Sequence, residues 1–239
     1  MSGAVIHGDD DLHQRAAKHA ALGEPSRLAI VDELAASDRS PSELSRRLDI
    51  PGNLLAHHLD VLGDAGLIER FTSSGDGRRK YVRLVPDALP VTCVPAGRLA
   101  PVLFVCTHNS ARSQLAAALW RRWATTPADS AGTHPAERVH PGAVAAAQRH
   151  DLDLSGATPV LVAVDDLEPA LDRLIITVCD QAHEELSPAT DWLHWSIADP
   201  VRTASDSAFD DVVDQIEDRI RRLIATGSLP QHQPSQEIT

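Results

Sequence analysis

Apolar residues recur at helical spacing from about His13 through Leu22, until Gly23-Glu24-Pro25-Ser26 interrupts them. Ser26 is placed to cap a second helix carrying Leu28, Ile30, Val31 and Leu34. Ser40-Pro41-Ser42-Glu43 opens a short helix to about Leu48, with Pro41 suited to a first turn. Asp49-Ile50-Pro51-Gly52 turns the chain, and Asn53 to Leu62 reads as a helix whose buried stripe is Leu55, Leu59 and Leu62. The pattern then changes period: Glu69–Thr72 alternates, Ser73–Gly77 turns, and Arg78–Leu84 returns as a basic strand. Two helices across a short turn, followed by a hairpin, predict a winged helix-turn-helix.

The second half alternates differently. An apolar strand from Pro101 runs into a loop and then a helix from Gln114 to Trp123, with Leu115, Leu119 and Trp123 at helical spacing and Trp120 and Trp123 read as packing residues. A strand is expected before Ser130-Ala131-Gly132-Thr133, a helix from His140-Pro141-Gly142 to Arg149, a buried parallel strand in Arg173–Cys179, and a last helix from about Phe209 to Ala225. This βαβ order predicts a doubly wound parallel sheet, so the fold class is α/β plus winged helix. Pro86, Pro90, Pro95 and Pro101 punctuate the stretch between the halves. The expected divisions are a winged-helix domain over 12–85, a linker over 86–99 and an α/β domain over 100–227, with a polar tail beyond it.

Composition changes this picture in two places. At 239 residues, 43% hydrophobic and 23% charged, the chain suits two ordinary globular domains. No apolar run reaches the roughly 20 residues of a membrane span, and the acidic start, Met1 to Asp11, is unlike a secretory signal, so a cytoplasmic protein without a membrane partner is expected. Three widely spaced cysteines argue for reactive thiols over a disulfide framework. Residues 1–97 hold 11 Lys and Arg against 14 Asp and Glu, so any nucleic-acid binding must rest on local placement of charge. The acidic face Asp210, Asp211, Asp214, Glu217 and Asp218 is balanced by Arg219, Arg221 and Arg222 and reads as solvated. His57 and His58 are neighbours on a helix, and His134 and His140 have no matching ligands nearby in sequence, so no metal site is expected.

The most informative segment is Cys106-Thr107-His108-Asn109-Ser110-Ala111-Arg112-Ser113, a tight loop between an apolar strand and a helix. Backbone N–H groups closing onto a helix N-terminus attract a tetrahedral anion, and Arg112 can grip two of its oxygens as a fork. The same positive field favours the thiolate of Cys106. The loop resembles the signature of low-molecular-weight protein tyrosine phosphatases and, more closely, of the arsenate reductases that share their fold. Further pieces agree from about Ala100 to Ile224: Ser130–Thr133, His140–Val144, Val178-Cys179-Asp180 and His194–Pro200.

This resemblance implies roles residue by residue. Cys106 would be the nucleophile, Arg112 the anion clamp, Asn109 a loop-shaping hydrogen-bonder, Ser113 a stabiliser of the thiolate and Asp199 the general acid. Thr107, His108, Ser110 and Ala111 would complete the anion-binding loop. Cys179 falls where thioredoxin-coupled arsenate reductases keep a second cysteine that releases arsenite as a disulfide forms. Their third cysteine is replaced here by Leu186. No bound cofactor is implied; the reductant would be an external thiol, either thioredoxin or mycothiol with its redoxin, and the small thiol fits the missing cysteine better. Tyrosine phosphatases of the fold carry aromatic residues after Asp-Pro, whereas Val201-Arg202-Thr203-Ala204 follow here.

Residues Leu22 to Leu84, above all Leu54–Leu62 and Asp64–Ile68, resemble the ArsR/SmtB family of winged-helix repressors. Gly52, Asn53, Leu54 and His57 would then meet the major groove of operator DNA, with Arg78, Arg79 and Lys80 on the wing against phosphates or a minor groove. The chain lacks the cysteine pair that many arsenic-sensing relatives carry in the helix Ser42–Leu48, and Cys93 reads as a linker residue. The final dimerisation helix is not evident either, although a homodimer is expected. Together these resemblances imply a bifunctional arsenic-response protein, a transcriptional regulator fused to an arsenate reductase. Alternatives are a fused phosphatase and a catalytically idle oxyanion sensor.

Overall fold

The computed structural model describes residues 8–85, 100–163, 167, 173–188, 192–203 and 205–226. The expected linker 86–99, with Cys93, and the polar tail lie outside these residues. The chain divides into two compact units, one comprising residues 1–72 and 79–92 and the other residues 73–78 and 93–239.

The first unit carries helices α1 (Gly8–Leu22), α2 (Pro25–Ala36), α3 (Pro41–Leu48) and α4 (Gly52–Asp64), then the antiparallel strands β1 (Ile68–Thr72) and β2 (Lys80–Leu84). The start of α2 corrects the sequence reading: Glu24, not Ser26, is the N-cap, its carboxylate accepting the Ser26 and Arg27 N–H groups. Proline favours the first helical position, so Pro25 moves the cap one residue ahead of itself. Ser40 caps α3 reciprocally with Glu43, whose carboxylate accepts the Ser40 N–H at 2.7 Å. Asp49 ends α3 in the left-handed region at φ 51°, and α4 begins already at Gly52.

Leu55, Leu59 and Leu62 are buried as expected, together with Ile30, Val31, Leu34, Leu44, Leu67 and Val82, and this is the core of the unit. Burial of each such side chain contributes roughly 1.5–3 kcal/mol, most of what holds four short helices together. Leu28, expected among the apolar positions of α2, is instead 42% exposed.

In the second unit, strands β3 (Val102–Cys106), β4 (Ala128–Gly132), β5 (Leu174–Thr177) and β6 (Leu193–His194) form one parallel sheet in the order β4-β3-β5-β6. This is the doubly wound arrangement the alternation predicted. Helices α5 (Arg112–Trp123), α6 (Pro141–Arg149), α7 (Asp180–Leu186), α8 (Pro200–Thr203) and α9 (Asp206–Thr226) complete it. All five β3 residues are buried, as a central parallel strand requires. Trp120 and Trp195 flank Phe104, with ring centroids 6.0 and 5.9 Å away. Trp123 departs from its expected place in the core: it is 38% exposed, with the Arg221 guanidinium 4.0 Å from its ring centroid. A helix turns about 100° per residue, so Trp120 takes the inward position on the last turn of α5 and Trp123 is left at its rim. Among the described residues no helix is long and apolar enough to cross a membrane.

The order of strands decides where chemistry can sit. From β3 the chain moves to β4 on one side and later to β5 on the other. The carboxyl end of β3 is therefore the switch point of the sheet, where loops diverge and leave a crevice. Cys106 is the last residue of that strand.

Candidate active site

The loop from Cys106 to Arg112 is shaped by what its carbonyls do. The carbonyl oxygens of Cys106, Thr107, His108 and Ser110 accept the N–H groups of Thr133, His134, Ala136 and His140, at 2.8–3.1 Å. In a peptide unit the N–H points opposite to the C=O, so drawing four carbonyls toward residues 133–140 turns the following N–H groups the other way. Backbone N–H groups turned inward beside the N-terminus of α5 make a concavity of the kind that favours anions. Gly132 permits the close approach, because a Cβ there would lie 2.7 Å from the Thr107 carbonyl oxygen and 2.9 Å from the Asn109 nitrogen.

Asn109 locks the turn. It is fully buried with φ 47°, a conformation that asparagine tolerates better than most residues. Its Nδ2 donates to Ser113 Oγ at 2.8 Å, and its Oδ1 accepts from Val160 N at 2.8 Å and Gln114 Nε2 at 3.1 Å. Gln114 also donates to the Thr158 carbonyl. The brace supplied by residues 158–160 and Gln114 was not visible in the sequence, because it joins positions about 50 apart with no motif.

The reactive groups converge on one cavity of about 120 Å³, lined by Cys106, His108, Ser110, Ala111, Arg112, His140, Asp199 and Val201. Cys106 Sγ receives the Asn109 N–H at 3.2 Å and lies 3.0 Å from Ser113 Oγ. Arg112 is 7% exposed; one guanidinium nitrogen donates to the Ile197 carbonyl at 2.9 Å and the other lies 3.6 Å from an Asp199 carboxylate oxygen. Asp199 in turn accepts the Val201 N–H at 3.2 Å. His108 is exposed, while Thr107 is buried and its hydroxyl faces Cys179.

Cys179 follows β5 and caps α7, its sulfur accepting the Ala182 N–H and lying 3.3 Å from Thr107 Oγ1. Burial pushes its thiol pKa up, the neighbouring Arg112 opposes that rise, and Cys106 adds to it. Behind Cys179 is a buried polar chain: Thr177 Oγ1 lies 2.9 Å from Nδ1 of both His183 and His194, whose rings stack at 4.1 Å, and His194 Nε2 lies 3.1 Å from Asp180. Burial alone would raise the Asp180 pKa, but hydrogen bonds from His194 and Ser196 outweigh it and hold the carboxyl well below its ordinary value.

In the first unit, Gly52, Asn53, Leu54 and His57 are exposed on one side of α4, opposite Leu55, His58 and Leu59. Arg78, Arg79 and Lys80 are exposed at the turn and start of β2. Asp60 and Arg70 pair at 2.7 Å on the surface. Among the described residues there is no group of three or more His, Cys, Asp or Glu able to hold a metal ion.

An α/β domain with a cysteine and an arginine in one loop at its switch point, in a chain that also carries a helix-turn-helix, defines the class of protein. The particular family follows from comparison. Residues 101–233 match the low molecular weight phosphotyrosine protein phosphatase family, to which the chain belongs, and residues 22–70 match a helix-turn-helix domain. Arsenate reductase 1 of Bacillus cereus is 32% identical over 131 residues, 53% of this chain and 95% of that protein. The arsenate reductase of Brevibacillus brevis is 33% identical over 132 residues, again 53% and 95%. The solved arsenate reductase of Archaeoglobus fulgidus is 33% identical, with a TM-score of 0.43, over 52% of this chain and 98% of that one. The chain joins a helix-turn-helix domain to a domain of the low molecular weight phosphatase family that is similar to arsenate reductases.

Proposed function

We propose that the protein is an arsenic-response regulator that binds operator DNA through residues 12–85 and reduces arsenate through residues 100–227, the two joined by 86–99. The observation that carries this reading is the small cavity itself. It sets Cys106, Arg112 and Asp199 around a volume suited to a free tetrahedral oxyanion, and at its rim Val201 offers no aromatic face for an aryl ester.

Arsenate enters the nest with two oxygens on the Arg112 fork. The sulfur of Cys106 attacks arsenic, and the arsenic–oxygen bond opposite breaks, with Asp199 protonating the departing oxygen as water. A second thiol then attacks Cys106 Sγ: a sulfur–sulfur bond forms, the sulfur–arsenic bond breaks, and its electron pair stays on arsenic, which passes from As(V) to As(III) and leaves as arsenite. Two thiols are oxidised for each arsenite released, and an external thiol restores them. Burial holds Cys179 in its neutral form, which makes it a sluggish second thiol, and Leu186 stands where a third cysteine would carry the disulfide outward. Both features favour a small thiol such as mycothiol, with its redoxin, over thioredoxin. On DNA, the exposed residues of α4 supply base contacts and Arg78, Arg79 and Lys80 the phosphate contacts, in a homodimer.

The test is arsenite formation from arsenate by the purified full chain, with mycothiol plus redoxin and thioredoxin plus thioredoxin reductase supplied separately. Turnover lost in Cys106→Ser and retained in Cys179→Ser with mycothiol is the expected result. Absence of arsenite under both systems, with phosphate released from an aryl phosphate, would replace the reductase with a phosphatase. Absence of both activities, with arsenate-dependent operator affinity, would leave an oxyanion sensor.

A further inference from the structure

His140 lines the cavity that holds Cys106, Arg112 and Asp199. Three contacts fix its ring. Its backbone N–H donates to the Ser110 carbonyl of the anion loop at 2.8 Å. Its Nδ1 accepts the Gly142 N–H at 3.1 Å as the N-cap of α6. Its ring stacks on buried Phe209 of α9, with centroids 5.1 Å apart and planes inclined by 16°. Gly142 makes that stack possible, since a Cβ there would lie 2.5 Å from Phe209 Cε2.

The cap also assigns the tautomer. Because Nδ1 spends its lone pair on the Gly142 N–H, the neutral ring carries its proton on Nε2. Among the described residues no protein acceptor meets that Nε2–H, and His140 lines the same cavity as Cys106, Arg112 and Asp199. A donor whose orientation is fixed before a ligand arrives loses little freedom on binding it.

We infer that His140 is an oxyanion-binding residue, donating Nε2–H to an oxygen of the tetrahedral anion that the loop and Arg112 hold. The inference rests on the reading of the loop as an anion site, and it adds a side-chain donor on the face contributed by α6. His140 thereby couples two tasks: its Nδ1 holds the helix and its Nε2 holds the ligand.

The test is calorimetric binding of inorganic phosphate to the full chain and to His140→Asn, alongside thermal unfolding of both. Asparagine is a strong N-cap whose Oδ1 still accepts the Gly142 N–H, but it has no donor at the far end of a ring. The expected result is an unfolding midpoint near that of the parent and a phosphate Kd raised about tenfold, the loss of one hydrogen bond to a charged ligand. His140→Ser, a second good cap, is expected to behave alike and substitutes if the asparagine variant does not fold. Unchanged phosphate affinity in a folded variant would overturn the role of His140 while leaving the loop intact as the anion site. Failure of the parent chain to bind phosphate would overturn the anion site itself, and this inference with it.

Discussion

Asn109 shows how much a single residue carries. Its backbone occupies the left-handed region, and its side chain ties the helix start, Gln114 and residue 160 to the loop. Replacing it with glycine accommodates φ but deletes the ties, whereas alanine strains both. We expect Asn109→Gly and Asn109→Ala each to weaken phosphate binding at least tenfold and to cost roughly 1–3 kcal/mol of stability, the penalty of buried partners left unmet. Glycine at parental affinity in calorimetry would show that backbone conformation alone shapes the loop. Asp180 offers a pH test. Its carboxyl is held below its ordinary value, so its contribution to stability is fully present above about pH 4 and fades as pH falls further, when the folded-state carboxyl becomes protonated. Asp180→Asn should therefore melt below the parent at pH 7, with the gap closing toward pH 2; a constant gap would assign the effect to packing. Cys106, Asn109, Arg112 and Ser113 could be named from sequence because a loop motif keeps its chemistry within a few residues, whereas Cys179 and Asp199 were named only through the family resemblance of Val178–Asp180 and His194–Pro200. The tie from Asn109 to Val160 could not be read from sequence, since no local pattern marks a contact between residues 51 apart.

At the level of elements, apolar periodicity located most helices because one face of each must be buried. Where a boundary was misplaced, a local competitor decided it: Pro25 put the cap of α2 on Glu24, and Gly52 joined α4 rather than the turn before it. The reciprocal cap of α3 gives a clean prediction. Ser40→Ala removes the acceptor for the Glu43 N–H and should lower the stability of the helix-turn-helix unit by about 1 kcal/mol, measured by denaturant unfolding. Leu59→Ala, in the core beneath the same helices, should cost about 2–5 kcal/mol. The short elements α7, α8 and β6 escaped prediction because two to seven residues hold too few turns or alternations to show a period.

Across the whole molecule, net charge is −12, so the DNA binding proposed above would depend on where positive charge is placed. If Arg79 and Lys80 neutralise phosphates, changing each to alanine should reduce the slope of log affinity against log salt by about one, uniformly over DNA sequences. An unchanged slope, measured by fluorescence anisotropy on operator DNA, would remove them from the interface. The class of both units, the parallel sheet and the cysteine loop at its carboxyl edge were determined by the sequence by itself. Periodicity, turn chemistry and a contiguous anion motif are short-range properties that survive in one dimension. Only the tertiary structure decided that residues 133–140 draw the loop carbonyls outward, that residues 158–160 brace Asn109, and that the cap of α6 stands at the anion cavity. Each depends on segments tens of residues apart being folded back onto the end of one strand, and hydrogen bonds of that kind form between places in space and leave no spacing in the chain.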